Sequence, residues 1–381
     1  MDKNIKILAY YLPQYHPIPE NDEWWGKGFT EWTNVGKAKA LFKGHYQPKV
    51  PADLGYYDLR LPEVRQEQTL LAKEAGVDAF CYWHYWFGNG QRLLENVFDE
   101  VLKTGKPDFP FCLAWANHSW FSKNWNNDGS STNNILIEQQ YPGIDDAKLH
   151  FDYLAKAFSD SRYVRVDDCP FLLIFDPVSI PEQYLKLFNA WAKDIGFDKG
   201  LYLVANIVHP NITKDSMLQK GFNAVTYQRL GGSSSSVIND MGRIGRGLFR
   251  IAKGLKGLLL HRPPRITDYR KYYKFLVDKS EDACEDVLPT IVPNWDHTPR
   301  SGWNGTLFVH ATPEYFRKHV DEVLDIVHKK SPERRVVMLK SWNEWGEGNY
   351  MEPDLVFGKA YIRALRDAID CLNSIESNNE F

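Results

Sequence analysis

Eight short runs rich in β-branched and aromatic residues recur along this chain, and longer amphipathic runs lie between most of them. The short runs are Lys6–Leu12, Ala79–Tyr85, Phe111–Ala116, Phe171–Phe175, Leu201–Ile207, Ala224–Gln228, Leu288–Pro293 and Val336–Ser341. The amphipathic runs cover Pro62–Ala75, Leu94–Leu102, Asp145–Phe158, Pro181–Ile195, Pro313–His328 and Pro353–Leu372, several opening on a proline suited to a first helical turn. Strand-then-helix units in series build parallel sheets. Eight of them in 381 residues predict an α/β protein, a single (β/α)8 TIM barrel with long βα-loop insertions. A doubly wound sheet is the alternative. It would carry a glycine-rich phosphate turn after its first strand, whereas Pro13-Gln14-Tyr15-His16-Pro17 follows here. With no internal repeat and no linker, residues 1–381 read as one domain with a basic insertion at about 231–266.

Composition narrows the function. A formal charge of −3 argues against nucleic acid as a partner. Aromatic residues are abundant, with 13 Trp, 20 Tyr and 21 Phe. Twelve of the tryptophans fall outside any helical pattern and only Trp191 lies within one, which suits a ring-lined cleft better than general packing. The five cysteines show no metal-ligand spacing and read as free thiols of a reducing compartment. The chain has no signal-peptide core and no apolar run long enough to span a bilayer, so a cytoplasmic location is expected.

In such a barrel the active site forms where the strands end. The chain places Gln14, Trp25, Glu31 and Trp32 after the first strand, His84 and Trp86 at the end of the second, and Trp115, Asn117 and His118 at the third. Asp176 follows the fourth, His209 the fifth, Arg229 the sixth, and Trp295 with Asp296 the seventh. The last strand runs into Trp342-Asn343-Glu344-Trp345-Gly346-Glu347-Gly348-Asn349-Tyr350. Two carboxylates three residues apart between tryptophans suit a sugar site. Ring faces stack on pyranoses, and two acids can divide the proton work of breaking an acetal. Gly346 and Gly348 would permit the turn that brings Glu344 and Glu347 to one side, and Trp342 and Trp345 the burial that raises a carboxyl pKa. A structural histidine is the alternative for His84 and His118, and a helix cap for Asp176.

The motif resembles the Asn-Glu-Trp-x-Glu-Gly signature of family 99 glycoside hydrolases, the endo-α-mannosidases and endo-mannanases. Tyr10-Tyr11-Leu12-Pro13-Gln14-Tyr15-His16-Pro17 and Gly28-Phe29-Thr30-Glu31-Trp32 look more like a sister group. That group is the WbsX-type proteins, family-99-like and labelled as glycosyltransferases of bacterial surface-polysaccharide synthesis. The resemblance implies a retaining hydrolase or transglycosylase. Glu344 would be the base on the substrate's own 2-hydroxyl and Glu347 the acid/base. This chain has Gly346 where the family 99 enzymes often carry His. The expected substrate-binding set is Tyr11, Gln14, Trp25, Glu31, Trp32, His84, Trp86, Trp115, Asn117, His118, Trp295, Trp342, Asn343 and Tyr350.

No metal site or cofactor is expected, since HxH, HExxH, P-loop and Asp-x-Asp patterns are absent from the sequence. A glycosyltransferase of O-antigen or capsule biosynthesis is the alternative, and a non-catalytic glycan-binding barrel the second. The substrate would be an oligosaccharide or polysaccharide, lipid-linked in one version. Residues 243–265 carry Arg243, Arg246, Arg250, Lys253, Lys256, Arg262 and Arg265 without an acid, opposite Ile244, Leu248, Ile251, Leu255 and Leu259. That pattern predicts either an interfacial helix on the anionic inner membrane or a helix packed on the barrel.

Overall fold

The computed structural model describes residues 5–125, 131–230 and 265–379, together with 248, 252, 255, 258–261 and 263. For 123–125, 131–133 and 375–379 it describes the backbone alone. Nine parallel strand segments form one sheet: β1 (Lys6–Tyr11), β2 (Ala79–Trp86), β3 (Phe111–Trp115), β4 (Cys169–Ile174), β5 (Tyr202–Ile207), β6 (Ala224–Tyr227), β7 (Val287–Leu288), β8 (Thr290–Ile291) and β9 (Val336–Leu339). Neighbours in sequence are neighbours in space from β1 to β7, and β9 lies between β1 and β8. The segments β7 and β8 flank Pro289. Val287 and Leu288 pair with β6, and Thr290 and Ile291 pair with β9, so the two ends of the sheet meet at that proline. The expected seventh strand is therefore two half-strands, each serving one neighbour. Pro289 has no N–H to give, but its carbonyl accepts from Met338 N at 2.9 Å.

Every residue of β3, β4, β5 and β9 is buried, as a parallel sheet covered on both faces requires. The outer layer comprises α1 (Pro62–Ala75), α2 (Asn96–Thr104), α3 (Ile144–Phe158), α4 (Glu182–Asp194), α5 (Lys214–Lys220), α6 (Pro313–Val327) and α7 (Ala360–Asn379). Local signals set their bounds. Pro62 and Pro313 sit where a missing N–H costs nothing, and Gly76 ends α1 at φ 84°, a left-handed conformation that other residues resist. The last helix starts at Ala360, later than the amphipathic run. Residues 353–358 form an anchoring turn in which Asp354 accepts from the Val356 and Phe357 N–H groups and from the Tyr350 hydroxyl.

Most of the basic segment 243–265 lies outside the described residues. Within it, Leu248, Leu255, Leu258, Leu259 and Leu260 are exposed. Among the described residues no helix is long and apolar enough to cross a membrane. All five cysteines are free thiols.

The loop after β1 carries two short helices, Pro19–Trp25 and Glu31–Lys37. Trp24, Trp25 and Trp32 are thus helical, contrary to the expectation for the tryptophans. Seven-residue helices are too short to display a periodic pattern. A hairpin, Trp120–Trp125 with Ser131–Ile137, follows β3 and stands on the same side of the barrel.

Candidate active site

At the C-terminal ends of the strands lies a cleft of about 620 Å3, within the usual range for small-molecule sites. Leu12 and Gln14 line it from the end of β1, Trp83 and Tyr85 from β2, His118 and Trp120 from beyond β3, and Phe175 from beyond β4. The opposite wall is His297, Arg300, Lys340, Glu344 and Glu347, and the loop after β1 adds Trp25, Phe29 and Glu31.

The eighth-strand motif is built rigidly. Past β9, Asn343 and Glu344 pair antiparallel with Asn349 and Tyr350, and a single 3-10 turn over Trp345–Glu347 joins them. The turn closes at Gly348 with φ 63°. Gly346 does not need a positive φ. A Cβ there would overlap the Glu31 carboxylate and come within 3.1 Å of Arg300 Nε, so this glycine serves close approach and not the turn. Asn343 clamps the motif to the end of β1, accepting from Leu12 N at 2.7 Å and donating to Leu12 O at 3.0 Å. The Tyr15 hydroxyl donates to Asn343 O at 2.6 Å and accepts from Trp345 N at 3.1 Å. Behind it, Trp345 Nε1 donates to Glu352 at 2.7 Å, and its ring stacks on Tyr350 with centroids 3.7 Å apart.

Three carboxylates converge on one guanidinium. Arg300 Nη2 donates to Glu344 Oε1 at 2.7 Å and Nη1 to Glu347 Oε1 at 2.7 Å, while Nε lies 3.2 Å from Glu31 Oε2. Glu31 opens the helix Glu31–Lys37, whose N-terminus Thr30 caps and whose dipole favours an anion there. Arg300 stands in the short helix Thr298–Ser301, held by the buried Asp296. Asp296 accepts from Gln47 Nε2 at 2.7 Å, Thr298 N at 3.0 Å and Thr298 Oγ1 at 2.6 Å, and pairs with His45 at 2.9 Å. Burial alone would raise its pKa, but the His45 hydrogen bond and the Lys49 charge hold it at about 2.

Burial raises the Glu344 pKa, with Glu347 and Glu31 adding to the rise and Arg300 opposing it. Burial pushes Glu347 the same way, but Arg300, Lys340 and His297 outweigh it and hold that carboxyl below its ordinary value. The two environments push the carboxyls apart, and Glu344 is the one that favours a proton.

Of the residues expected from the sequence, Glu344, Glu347, Glu31, Gln14, Trp25 and His118 come together on the cleft. Others lie behind its wall. Tyr11 donates to Gln68, Trp86 points its indole N–H at Asp146, and Trp115 donates to the Trp86 carbonyl. His84 is buried with Nε2 2.8 Å from His150 Nε2, and burial lowers its pKa to about 3. Asn117 bonds the Asp176 backbone, Trp32 donates to Tyr57 O, and Trp295 donates to Thr306. Trp342 is fully buried and packs on Phe80. Asn343 and Tyr350 brace the motif as described. Asp176 caps the turn after β4, accepting from Val178 N, Ser179 N and Ser179 Oγ. Arg229 pairs with Glu281 and Asp282, and His209 is exposed. Sequence reasoning missed Arg300 and Lys340. Their signal was position alone: each follows the end of a strand on the rim that carries the site.

The family described as "Glycosyltransferase WbsX" matches residues 7–365. The uncharacterized protein WxcX of Xanthomonas campestris pv. campestris is 35% identical over 370 residues, covering 95% of this chain and 49% of the relative. The chain thus spans about half the length of the curated relatives it matches. Among solved structures, a glycoside hydrolase-like protein aligns with TM-score 0.57 and 14% identity over 97% of this chain and 94% of the other. A GH99 endo-alpha-mannosidase from Bacteroides thetaiotaomicron aligns with TM-score 0.55 and 13% identity over 98% of each chain. At that identity the likeness establishes the TIM-barrel fold.

Proposed function

The chain belongs to the WbsX glycosyltransferase family, and from that premise we propose that it breaks or exchanges a glycosidic bond through Glu344 and Glu347. The observation that carries this reading is the convergence of Glu344, Glu347 and Glu31 on Arg300 at the strand ends. Acetal cleavage needs one proton for the departing oxygen and one base. A buried pair sharing a single proton supplies both. Following the family 99 resemblance, Glu344 takes the proton of the substrate's 2-hydroxyl as that oxygen closes on C1, and Glu347 protonates the leaving oxygen. Water or an acceptor hydroxyl, giving its proton to Glu347, then opens the 1,2-anhydro sugar as Glu344 returns the proton to O2. The first step requires the proton to pass from Glu344, its resting holder, to Glu347. A substrate that draws Arg300 away from Glu347 favours this shift, because the guanidinium is the main charge keeping Glu347 ionised. The ring faces of Trp25 and Trp83 and the rim residues Gln14 and His118 are the sugar contacts in this reading. Residues 1–381 act as one catalytic domain on an oligosaccharide or polysaccharide of bacterial surface-polysaccharide metabolism. The exposed leucines between 248 and 260, with the basic residues of 243–265, bring it to an anionic membrane where lipid-linked glycans are assembled.

The test is turnover of capsule-type and lipid-linked oligosaccharides read by mass spectrometry. On an aryl glycoside with a good leaving group, Glu347→Gln should retain cleavage and Glu344→Gln should lose it. The reverse pattern assigns the acid to Glu344, and full activity in both variants removes the pair from catalysis. The family description favours a second reading, transfer from a nucleotide sugar. In that case a nucleoside diphosphate should raise the melting temperature and a neutral oligosaccharide should not.

A further inference from the structure

Lys340 is a cation of the cleft that stands outside the Arg300 cluster, although its charge helps to hold Glu347 below its ordinary value. It follows β9 directly, is only 8% exposed, and lines the cleft beside Glu344 and Glu347. Its backbone is fixed, with N–H donating to Ile291 O at 2.9 Å. Its ammonium lies 5.4 Å from the centroid of the Trp295 ring, and that ring is itself anchored to Thr306. Among the described residues the ammonium makes no hydrogen bond and no ion pair. The other buried lysines differ. Lys330 Nζ donates to Val287 O at 2.6 Å, and Lys49 Nζ lies 3.4 Å from Gly348 O. Arg300 differs too, since all three of its nitrogens face carboxylates.

Losing part of an ammonium's hydration to the cleft wall is unfavourable. The tryptophan face offsets part of that cost and leaves the three N–H donors unspent. A sugar hydroxyl would satisfy one donor, but a charged acceptor gains most from a partly desolvated ammonium. The charges of the cleft allow one. The lining carries three carboxyl groups, Glu31, Glu344 and Glu347, and burial leaves Glu344 favouring its proton. Arg300, Lys340 and the rim residue Lys37 oppose them with three positive charges.

We propose that the cleft takes an acidic saccharide, and that Lys340 receives the carboxylate or phosphate the sugar carries. The proposal rests on the reading of this cleft as a glycan site and adds the class of glycan. The Trp295 ring orients the lysine stem, so that the anionic substituent sits against the β8–β9 side of the mouth while the pyranose lies across the carboxylate pair.

Saturation-transfer NMR on the full chain tests it with simple sugars, whatever linkage the natural glycan carries. The probes are sodium D-glucuronate, sodium D-galacturonate and glucose 6-phosphate, set against D-glucose and D-galactose. At least one acidic sugar should bind the wild type about tenfold more tightly than its neutral counterpart, the effect of roughly one charge-assisted hydrogen bond. Preference for the uronates identifies a carboxylate substituent, and preference for the sugar phosphate alone a phosphate. Lys340→Met should erase the preference for the acidic over the neutral sugar, and Lys340→Arg should keep it. If Lys340→Met does not fold, Lys340→Gln takes its place. No acidic preference in the wild type, or a preference that survives loss of the charge, overturns the proposal. Failure of the catalytic reading is separable. Full turnover in Glu347→Gln together with a Lys340-dependent acidic preference would remove the proposed chemistry and leave the anion site standing. Turnover lost in Glu347→Gln with no acidic preference would do the opposite.

Discussion

The carboxylate of Glu31 occupies the space into which a side chain at position 346 would grow. Glu31 comes from the loop after the first strand and Gly346 from the turn after the last, and they meet only because residue 346 has no Cβ. Gly346 therefore goes with a third carboxylate on the cleft wall. Gly346→Ala should destabilise the fold by about 1–3 kcal/mol, the usual cost of overpacking, and should lower activity further by displacing Glu31 and Arg300. In a Glu31→Ala background the same change should cost at least about 1 kcal/mol less, because the clashing group is gone. Urea denaturation of the four proteins in that cycle measures the coupling. Additive effects would mean that the two residues do not compete for space.

Arg300 is the common counter-ion of Glu31, Glu344 and Glu347. Arg300→Met leaves three poorly solvated carboxylates without it. A loss of about 3 kcal/mol is expected at neutral pH, comparable with breaking a buried ion pair. Without the guanidinium the pKa values of Glu344 and Glu347 rise, so the variant recovers part of its stability as pH falls and those two take up protons. Denaturation midpoints of both proteins at pH 7.5 and pH 5 check this. A penalty independent of pH would show that packing, not charge, is what Arg300 supplies.

The shared proton sets the pH dependence. Glu344 is raised to about 8, chiefly by burial, and Glu347 is held below its ordinary value against burial by Arg300 and other cations. Activity that needs one proton on the pair should form a plateau across neutral pH. It should fall as pH rises through about 8, and again in acid once Glu347 is also protonated. The stability term for Glu344 has a definite sign. Its folded pKa exceeds its unfolded value, so the folded state binds the extra proton in between. This contribution is fully present below the unfolded pKa near 4.5 and is lost as pH rises through about 8. On the aryl glycoside, a pH–rate profile of Glu347→Gln should lack the alkaline limb, because a good leaving group needs no proton and only the ionised Glu344 is then required. An unchanged limb would assign the proton elsewhere.

Much of the barrel is legible in the sequence because its signals are local. Pro62, Gly76 and Pro313 punctuate helices whatever surrounds them, and the strands are continuous apolar runs because both faces are covered. The site is legible only in part. Tryptophans beside strand ends suggest stacking surfaces, yet Trp342 and Trp345 are buried, one on Phe80 and the other on Tyr350 and Glu352. A large ring next to a strand end can face the layer beneath as well as the mouth, and alternation does not decide between them in a turn. Arg300 reads as an ordinary loop arginine. Its role comes from partners 269, 44 and 47 residues away, which no local pattern encodes. Gly346 was legible as a necessary glycine, but for turn geometry and not for the neighbour that excludes a side chain.

The last expectation concerns the leucines of the basic segment. Leu248, Leu255, Leu258, Leu259 and Leu260 are between 55% and 76% exposed. Apolar area of this kind on a chain of net charge −3, beside Arg246, Arg250 and Lys253 in sequence, suits an anionic lipid surface. Each basic residue near such a surface contributes roughly 1 kcal/mol, and burial of leucine in the headgroup region adds to it. In flotation assays the protein should bind vesicles containing phosphatidylserine and not pure phosphatidylcholine vesicles, and added salt should weaken the binding by screening. The triple variant Arg246→Glu, Arg250→Glu, Lys253→Glu should lose flotation while keeping its melting temperature. Leu255→Ser with Leu259→Ser should weaken flotation without altering the salt dependence. Equal flotation on neutral and anionic vesicles, or none on either, would leave the exposed leucines to a protein partner and end the membrane reading.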